Sequence, residues 1–152
     1  MLLLRPMRAD EFAGFEAYFI PDYAAELARN FDLEAGEAQA RAMAELGRDL
    51  PQGVATPGAT LLCIAQDDSV LGYLWCKADP ESRSVFIYDF CILPAHRGKG
   101  FAKQALAALG ARFAKLGFTE LRLRVAADND HARQVYLASG FRVTGFNMQK
   151  PI

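Results

Sequence analysis

Ser84-Val85-Phe86-Ile87-Tyr88-Asp89-Phe90-Cys91-Ile92-Leu93-Pro94-Ala95-His96-Arg97-Gly98-Lys99-Gly100-Phe101-Ala102-Lys103 passes from an apolar β-rich run through a basic, glycine-containing turn into a helix. Between Ser84 and Leu93 only Asp89 is charged. So little alternation predicts a central strand covered on both faces. In the turn, Gly98 and Gly100 let backbone N–H groups converge with no Cβ in the way. A helix starting near Gly100 or Phe101 aims its unpaired donors at the same point. Arg97, Lys99 and Lys103 add positive charge, so the loop reads as an anion site suited to a diphosphate. The alternative is a glycine-rich turn with solvated basic residues, since motifs this short recur by chance. The Walker A pattern is absent, and a dinucleotide fingerprint requires Gly or Ala where Lys103 stands.

Downstream, Ala102, Ala105, Leu106, Leu109, Phe113 and Leu116 form one helical stripe with Gly117 as a left-handed stop. Leu121 to Val125 alternates as a half-covered strand. A helix from about Asp130 to Ser139 follows, Gly140 stops it, and Phe141 onward returns to strand. Upstream, Met1 to Leu4 reads as a short strand. Asp10 caps a helix carrying Phe12, Phe15, Tyr18 and Phe19 at helical spacing. Pro21 interrupts that helix and a second helical piece follows. After Asp32, Ala38, Ala42, Leu46 and Leu50 recur every fourth residue until Pro51 and Gly53. Thr60 to Gln66 and Val70 to Lys77, joined by Asp67-Asp68-Ser69, predict an antiparallel hairpin, with Ser84 to Leu93 as the third member of the meander.

At 152 residues, 52% of them hydrophobic, the chain fits one compact domain (1–152) whose folding removes roughly two-thirds of its unfolded surface from water. Its 17 basic and 18 acidic residues nearly cancel, which argues against a general field for nucleic acid or an anionic membrane. The few apolar residues before Arg5-Pro6 are too short for a signal-peptide core or a membrane span, so a cytoplasmic protein is expected. Cys63, Cys76 and Cys91 are odd in number, lie in apolar strand-like runs and lack metal-ligand spacing. They read as buried reduced thiols, and no metal site is expected.

Arg97-Gly98-Lys99-Gly100-Phe101-Ala102 resembles the R/Q-x-x-G-x-G/A signature of the GNAT superfamily of N-acetyltransferases, preceded by Ile92-Leu93-Pro94 as in many members. Asn129 to Phe141, with Ala132, Tyr136 and Gly140 in between, resembles the family's N-x-x-A-x-x-x-Y-x-x-x-G-F segment at every signature position. Two motifs in the right order and context are far more specific than either alone. The likeness is strong over residues 60–150. It implies a mixed, mostly antiparallel α/β sheet of six to seven strands with helices on both faces, closing on a strand at Asn147 to Lys150. Residues 1–59 would be the acceptor side and 60–150 the acetyl-CoA-binding core.

The resemblance also implies acetyl-CoA as donor and direct attack by an amine acceptor, in a monomer or homodimer. The pyrophosphate would lie on the amides of Gly98, Lys99, Gly100, Phe101, Ala102 and Lys103 beside Arg97. The pantetheine would run along Phe90, Cys91 and Ile92, with Asn129 and Ala132 next to it, and a main-chain donor near Ile92 would face the oxyanion. A lysine-like amine with pKa about 10.4 costs roughly 4 to 5 kcal/mol to keep neutral at pH 7, so a base or a desolvating pocket is needed. Asp89 is the base candidate; a hydrogen-bonded Asp at a bulge, or one in a salt bridge, is the structural alternative. Tyr136 is the candidate acid for the departing thiolate, or else a core residue. His96 and His131 read as positions without catalytic duty. The acceptor is unspecified: Glu16, Asp22, Glu26 and Glu34 could draw a cation, or form a solvated helix face. A non-catalytic acyl-CoA sensor and a dinucleotide-binding oxidoreductase remain as alternative classes.

Overall fold

Three strands joined by tight turns build the middle of the molecule. In the computed structural model, which describes residues 1–152, β2 (Ala59–Gln66), β3 (Ser69–Asp79) and β4 (Ser84–Ile92) form the predicted antiparallel meander. Asp67 and Arg83 turn the chain at φ 52° in the two connections. Strand β1 (Leu2–Pro6) pairs antiparallel with β2, and β5 (Glu120–Leu123) pairs parallel with β4. The sheet therefore has five strands in the order β1-β2-β3-β4-β5.

Four helices cover it. Helices α1 (Phe12–Phe31) and α2 (Ala35–Asp49) lie on one face, where Phe15, Phe19, Leu46 and Leu50 pack against Leu61, Cys63 and Trp75. Ala24, Leu27, Ala38 and Ala42 form the contact between these two helices. On the other face, Ala105, Leu106, Leu109 and Phe113 of α3 (Phe101–Ala114) meet Leu62, Ile64, Leu74, Cys76, Val85 and Ile87. Helix α4 (Asp130–Ala138) adds Val135 and Tyr136 at the edge of that core. The three cysteines are free and buried. No helix is long and apolar enough to cross a membrane.

Five expectations require correction. The sheet has five strands rather than six to seven, because nothing after Phe141 joins it; Asn147 to Lys150 is irregular and exposed. Strand β4 is not covered on both faces, since Phe86 and Tyr88 remain solvent-exposed and β3 holds the central place. Pro21 does not interrupt its helix: α1 runs through it, held by buried Phe15 and Phe19 before it and Ala24 and Leu27 after it. That packing outweighs the hydrogen bond to the Ala17 carbonyl that proline cannot make. Asp10 lies inside a short 3-10 turn before α1 rather than capping it. Leu116 falls beyond the end of α3 and is exposed, while Phe118 takes its place edge-on to Phe113, after Gly117 at φ 90°.

The tightest approach in the sheet is at Gly72, inside β3. A Cβ there would stand 2.0 Å from the Cys91 carbonyl oxygen of β4. Both neighbours are backbone in a paired strand and cannot move aside. We expect Gly72→Ala to destabilise the fold by roughly 3 kcal/mol, the upper end of overpacking costs, measured by urea denaturation; a shift below half of that would mean that the two strands separate freely here.

Candidate active site

Strand β4 carries one residue more than β3 opposite it. Trp75 pairs with Asp89 but Cys76 pairs with Ile87, leaving Tyr88 as the bulged residue. Because side chains alternate along a strand, an extra residue reverses which face each later residue takes. Val85 and Ile87 face the α3 core, and without the bulge Asp89 would follow them. Instead Phe90 and Ile92 continue that core, and Asp89 turns toward α1. There the Tyr18 hydroxyl donates to Asp89 Oδ1 at 3.3 Å.

The other carboxylate oxygen, Asp89 Oδ2, is shut off from solvent with no hydrogen-bond partner, although the residue as a whole is only half-buried. No cation pairs with Asp89; the hydrogen-bonded Asp at a bulge is the arrangement found. Burial, reinforced by the nearby charge of Asp22, pushes its pKa up to about 8, against the smaller lowering effect of the Tyr18 hydrogen bond. Glu26, two turns along α1 from Tyr18 and one from Asp22, is also raised, by burial first, with Arg124 opposing.

Tyr136 approaches from the opposite face of the sheet. Its ring sits 6.4 Å from that of Phe90 and 5.6 Å from that of Phe141, which fixes the side chain through packing. Burial pushes its pKa up to about 12, with the charge of Asp89 adding to the rise. Beside these two groups the sheet is open on one edge: β4 and β5 pair only as far as Ile87 and Leu123. Beyond that point the β5 side of β4 is free. Since Leu93 N–H donates to Leu71 O on β3 at 2.8 Å, strand alternation directs the Ile92 N–H the other way, into the gap.

At the end of β4 the chain enters the glycine loop. Gly98 and Gly100 adopt φ 75° and 79°, and a Cβ on either would meet nothing within 4 Å. The N–H groups of Gly98, Lys99 and Gly100 make no backbone hydrogen bond, and those of Phe101, Ala102 and Lys103 form the first turn of α3, which has no intrahelical acceptors. Six converging donors beside open space fit an oxyanion cluster such as a diphosphate. Lys99 and Lys103 are exposed and unpaired. Arg97 is partly committed, its Nε donating to Ile92 O at 2.8 Å; it braces the loop against the end of β4 as well as adding charge.

Asn129 is the N-cap of α4: its side-chain oxygen accepts from Ala132 N–H at 3.1 Å, which leaves its amide NH2 free. His96 is half-buried and His131 exposed. Sequence reasoning missed three features. The sequence alone shows Tyr18 only as part of an aromatic stripe, although i, i+4 and i+8 spacing with Asp22 and Glu26 marks one face of α1. Arg29 and Asn30, at the end of α1, both donate to Asp128, Arg29 Nε at 2.7 Å, so that α1 is tied to the loop that presents Asn129. A cavity of about 220 Å³ between α1, α2 and β4 is lined by Phe19, Tyr23, Glu26, Trp75, Tyr88 and Arg124, among others.

A sequence model of the acetyltransferase (GNAT) family matches residues 20–141. YycN, an uncharacterized N-acetyltransferase of Bacillus subtilis strain 168, is 35% identical over 99% of both chains. Its crystal structure superposes with a TM-score of 0.93 over 100% of this chain and 99% of YycN. YdgE, a second uncharacterized N-acetyltransferase of that organism, is 30% identical over 98% of this chain and 97% of its own. The spermidine N-acetyltransferase of Vibrio cholerae, solved with CoA and spermine, shares the fold at a TM-score of 0.67 and 21% identity, over 95% of this chain and 82% of its own. Bulged strand, open gap and glycine loop thus sit in a chain that belongs to the GNAT acetyltransferase family.

Proposed function

We propose that the chain moves the acetyl group of acetyl-CoA directly to a primary amine in a ternary complex, with Asp89 as base and Tyr136 as acid. The observation that carries this reading is the placement of Asp89 and Tyr136 on opposite faces of β4, at the stretch that β5 leaves unpaired. The CoA pyrophosphate takes the amides of residues 98–103, and the pantetheine follows Phe90, Cys91 and Ile92 toward Asn129 and Ala132. The thioester then lies in the gap, where the Ile92 N–H stabilises the oxyanion.

Desolvation suits Asp89 to its task. An ordinary carboxyl, with pKa near 3.9, lies about 6.5 units below a lysine-like amine, so taking the proton would cost roughly 9 kcal/mol. With Asp89 at about 8 the gap shrinks to about 2.4 units, or roughly 3 kcal/mol. Asp89 takes a proton from the ammonium, the freed amine nitrogen attacks the carbonyl carbon, the C–S bond breaks, Tyr136 supplies the proton to the leaving sulfur, and the nitrogen releases its remaining extra proton to solvent as the amide forms. A phenol at about 12 remains protonated until that moment. The cavity beside Glu26 and Trp75 is the acceptor side of the same groove, and residues 1–59 supply most of its wall.

Release of CoA thiol from acetyl-CoA across a library of primary amines tests the reaction as a whole; absence of turnover with every amine would return the chain to a binding or sensing role. With an acceptor in hand, Tyr136→Phe should lower kcat by about 10²- to 10⁴-fold while CoA affinity and melting temperature move little. Loss of stability with full activity per folded molecule would assign Tyr136 to packing alone.

The pH response tests Asp89 separately. Its folded pKa of about 8 lies above the ordinary 3.8, so the folded state holds a proton that the unfolded state has released. Stability from this group is therefore greatest below pH 4 and declines as pH rises toward 8. Asp89→Asn should abolish that decline and lower kcat/KM about 100-fold, removing the rising limb near pH 8. An unchanged pH–rate profile in the variant would exclude Asp89 as base.

Gly100→Val probes the loop. Its left-handed φ makes valine strained by roughly 1 to 2 kcal/mol, while the space that a side chain enters is free of protein atoms. Titration calorimetry should show CoA affinity reduced by more than tenfold in a protein that still folds. Unaltered affinity would place the phosphates elsewhere.

A further inference from the structure

Four charged side chains line the cavity of about 220 Å³ between α1, α2 and β4. Two of them are occupied. Glu45 accepts from the Tyr23 hydroxyl and pairs with Arg41, one turn before it on α2, and Asp49 pairs with Arg48. The other two, Glu26 on α1 and Arg124 just beyond β5, belong to no salt bridge. Their signs are opposite, and among the charges around Glu26 that of Arg124 acts on it most strongly. Arg29, also near Glu26, is held by Asp128. A carboxylate and a guanidinium that share one cavity without joining are complementary to a group that carries both charges.

An aromatic wall runs from these two groups to the reacting centre. Trp75 and Tyr88 line the cavity with their rings stacked at 4.9 Å. Trp75 stands opposite Asp89 in the sheet, and Tyr88 precedes Asp89 in β4. Asp89 Oδ2 has no partner of its own. Tyr18, which holds Asp89, and Glu26 lie on the same helix, two turns and about 12 Å apart along its axis. Hydrogen bonds of about 2.9 Å at each end leave roughly 6 Å between two amine nitrogens, the span of a chain of a few methylenes.

We propose that the acceptor is a free diamino acid of the lysine or ornithine kind. Arg124 takes its carboxylate, Glu26 its α-ammonium, the methylene chain lies on Trp75 and Tyr88, and the side-chain amine is the nitrogen presented to Asp89. The guanidinium fork matches a carboxylate with two parallel donors. A lysine inside a peptide has neither end charge and would leave both Glu26 and Arg124 facing neutral amides. A plain diamine would set an ammonium against Arg124. The cavity is also smaller than the roughly 300 Å³ at which drug-sized pockets begin, which suits a small molecule. This assignment rests on the acetyl-transfer reading. The N–C bond forms at the side-chain nitrogen, the C–S bond of acetyl-CoA breaks, and CoA leaves as the thiol. Of the two protons that the nitrogen gives up, one ends on the thiol and one in solvent.

Thiol release from acetyl-CoA is to be compared for lysine, ornithine, cadaverine, which is lysine without its carboxylate, and Nα-acetyl-lysine, which lacks the α-charge. The better of the two amino acids is expected to exceed either analogue in kcat/KM by about 10- to 100-fold, with the acetyl group on the side-chain nitrogen by mass spectrometry. Arg124→Gln should remove the advantage over cadaverine and keep that over Nα-acetyl-lysine. Glu26→Gln should do the reverse. Circular dichroism, a cooperative melt and CoA titration check that each variant is intact, with Arg124→Lys as the milder substitute. Cadaverine or another amine turning over as well as both amino acids overturns the assignment while acetyl transfer stands. Acetylation of the α-nitrogen does the same, as do variants that slow all the amines alike. Silence with every amine overturns the assignment and the transfer reading together.

Discussion

Opposite Trp75 and Cys76, β4 accommodates Tyr88 as an extra residue, and most of the chemistry follows from that insertion. A regular strand would send Asp89 into the same apolar core as Val85 and Ile87, where a carboxylate has no partner. Reversing the parity sends it to the α1 face, within reach of the Tyr18 hydroxyl. The same reversal puts Phe90 against Tyr136 on the other face. One backbone irregularity thus distributes a carboxyl and a phenol to opposite faces of a strand whose β5-side edge is free beyond Ile87.

That edge is free because β5 is short. A longer β5 would zip along β4 to Ile92 and leave no main-chain donor pointing into a gap. Glycine acts on both flanks of this region for different reasons. At Gly72 the requirement is space, since the Cys91 carbonyl occupies the volume of a Cβ. At Gly100 it is conformation, because the chain must pass through the left-handed region to turn from strand into helix while keeping its N–H groups directed outward. The first lets β3 lie close against β4; the second turns the end of β4 into α3.

Much of this was legible in the residues. The order of strands and helices, the stop at Gly117, the glycine loop and the segment from Asn129 to Phe141 carry local signals, since each depends on neighbours within a few positions. What was not legible depends on partners far along the chain. The fate of Pro21 is set by aromatic packing onto Tyr73 and Trp75, and that of Tyr18 by a hydrogen bond to a residue 71 positions away. The bulge at Tyr88 follows from register against β3, which β4 alone does not encode. The segment after Phe141 has a strand's composition, but composition does not say which edge it pairs with.

The arrangement around Asp89 carries a cost that explains its surroundings. Burying a carboxyl with one oxygen unpartnered opposes folding wherever the group must ionise, and the penalty grows as pH approaches its shifted pKa. Such a group persists only where neighbouring packing is strong enough to absorb it. Here the rings of Phe15, Tyr18, Tyr73 and Trp75 meet tilted or edge-on, with the Tyr18 hydroxyl reaching Asp89, and Arg29 with Asn30 ties α1 to the loop before α4. The burial of Asp89 Oδ2 beside this layer is what raises the carboxyl's pKa. A more loosely packed α1 would admit water and return the carboxyl toward its ordinary range.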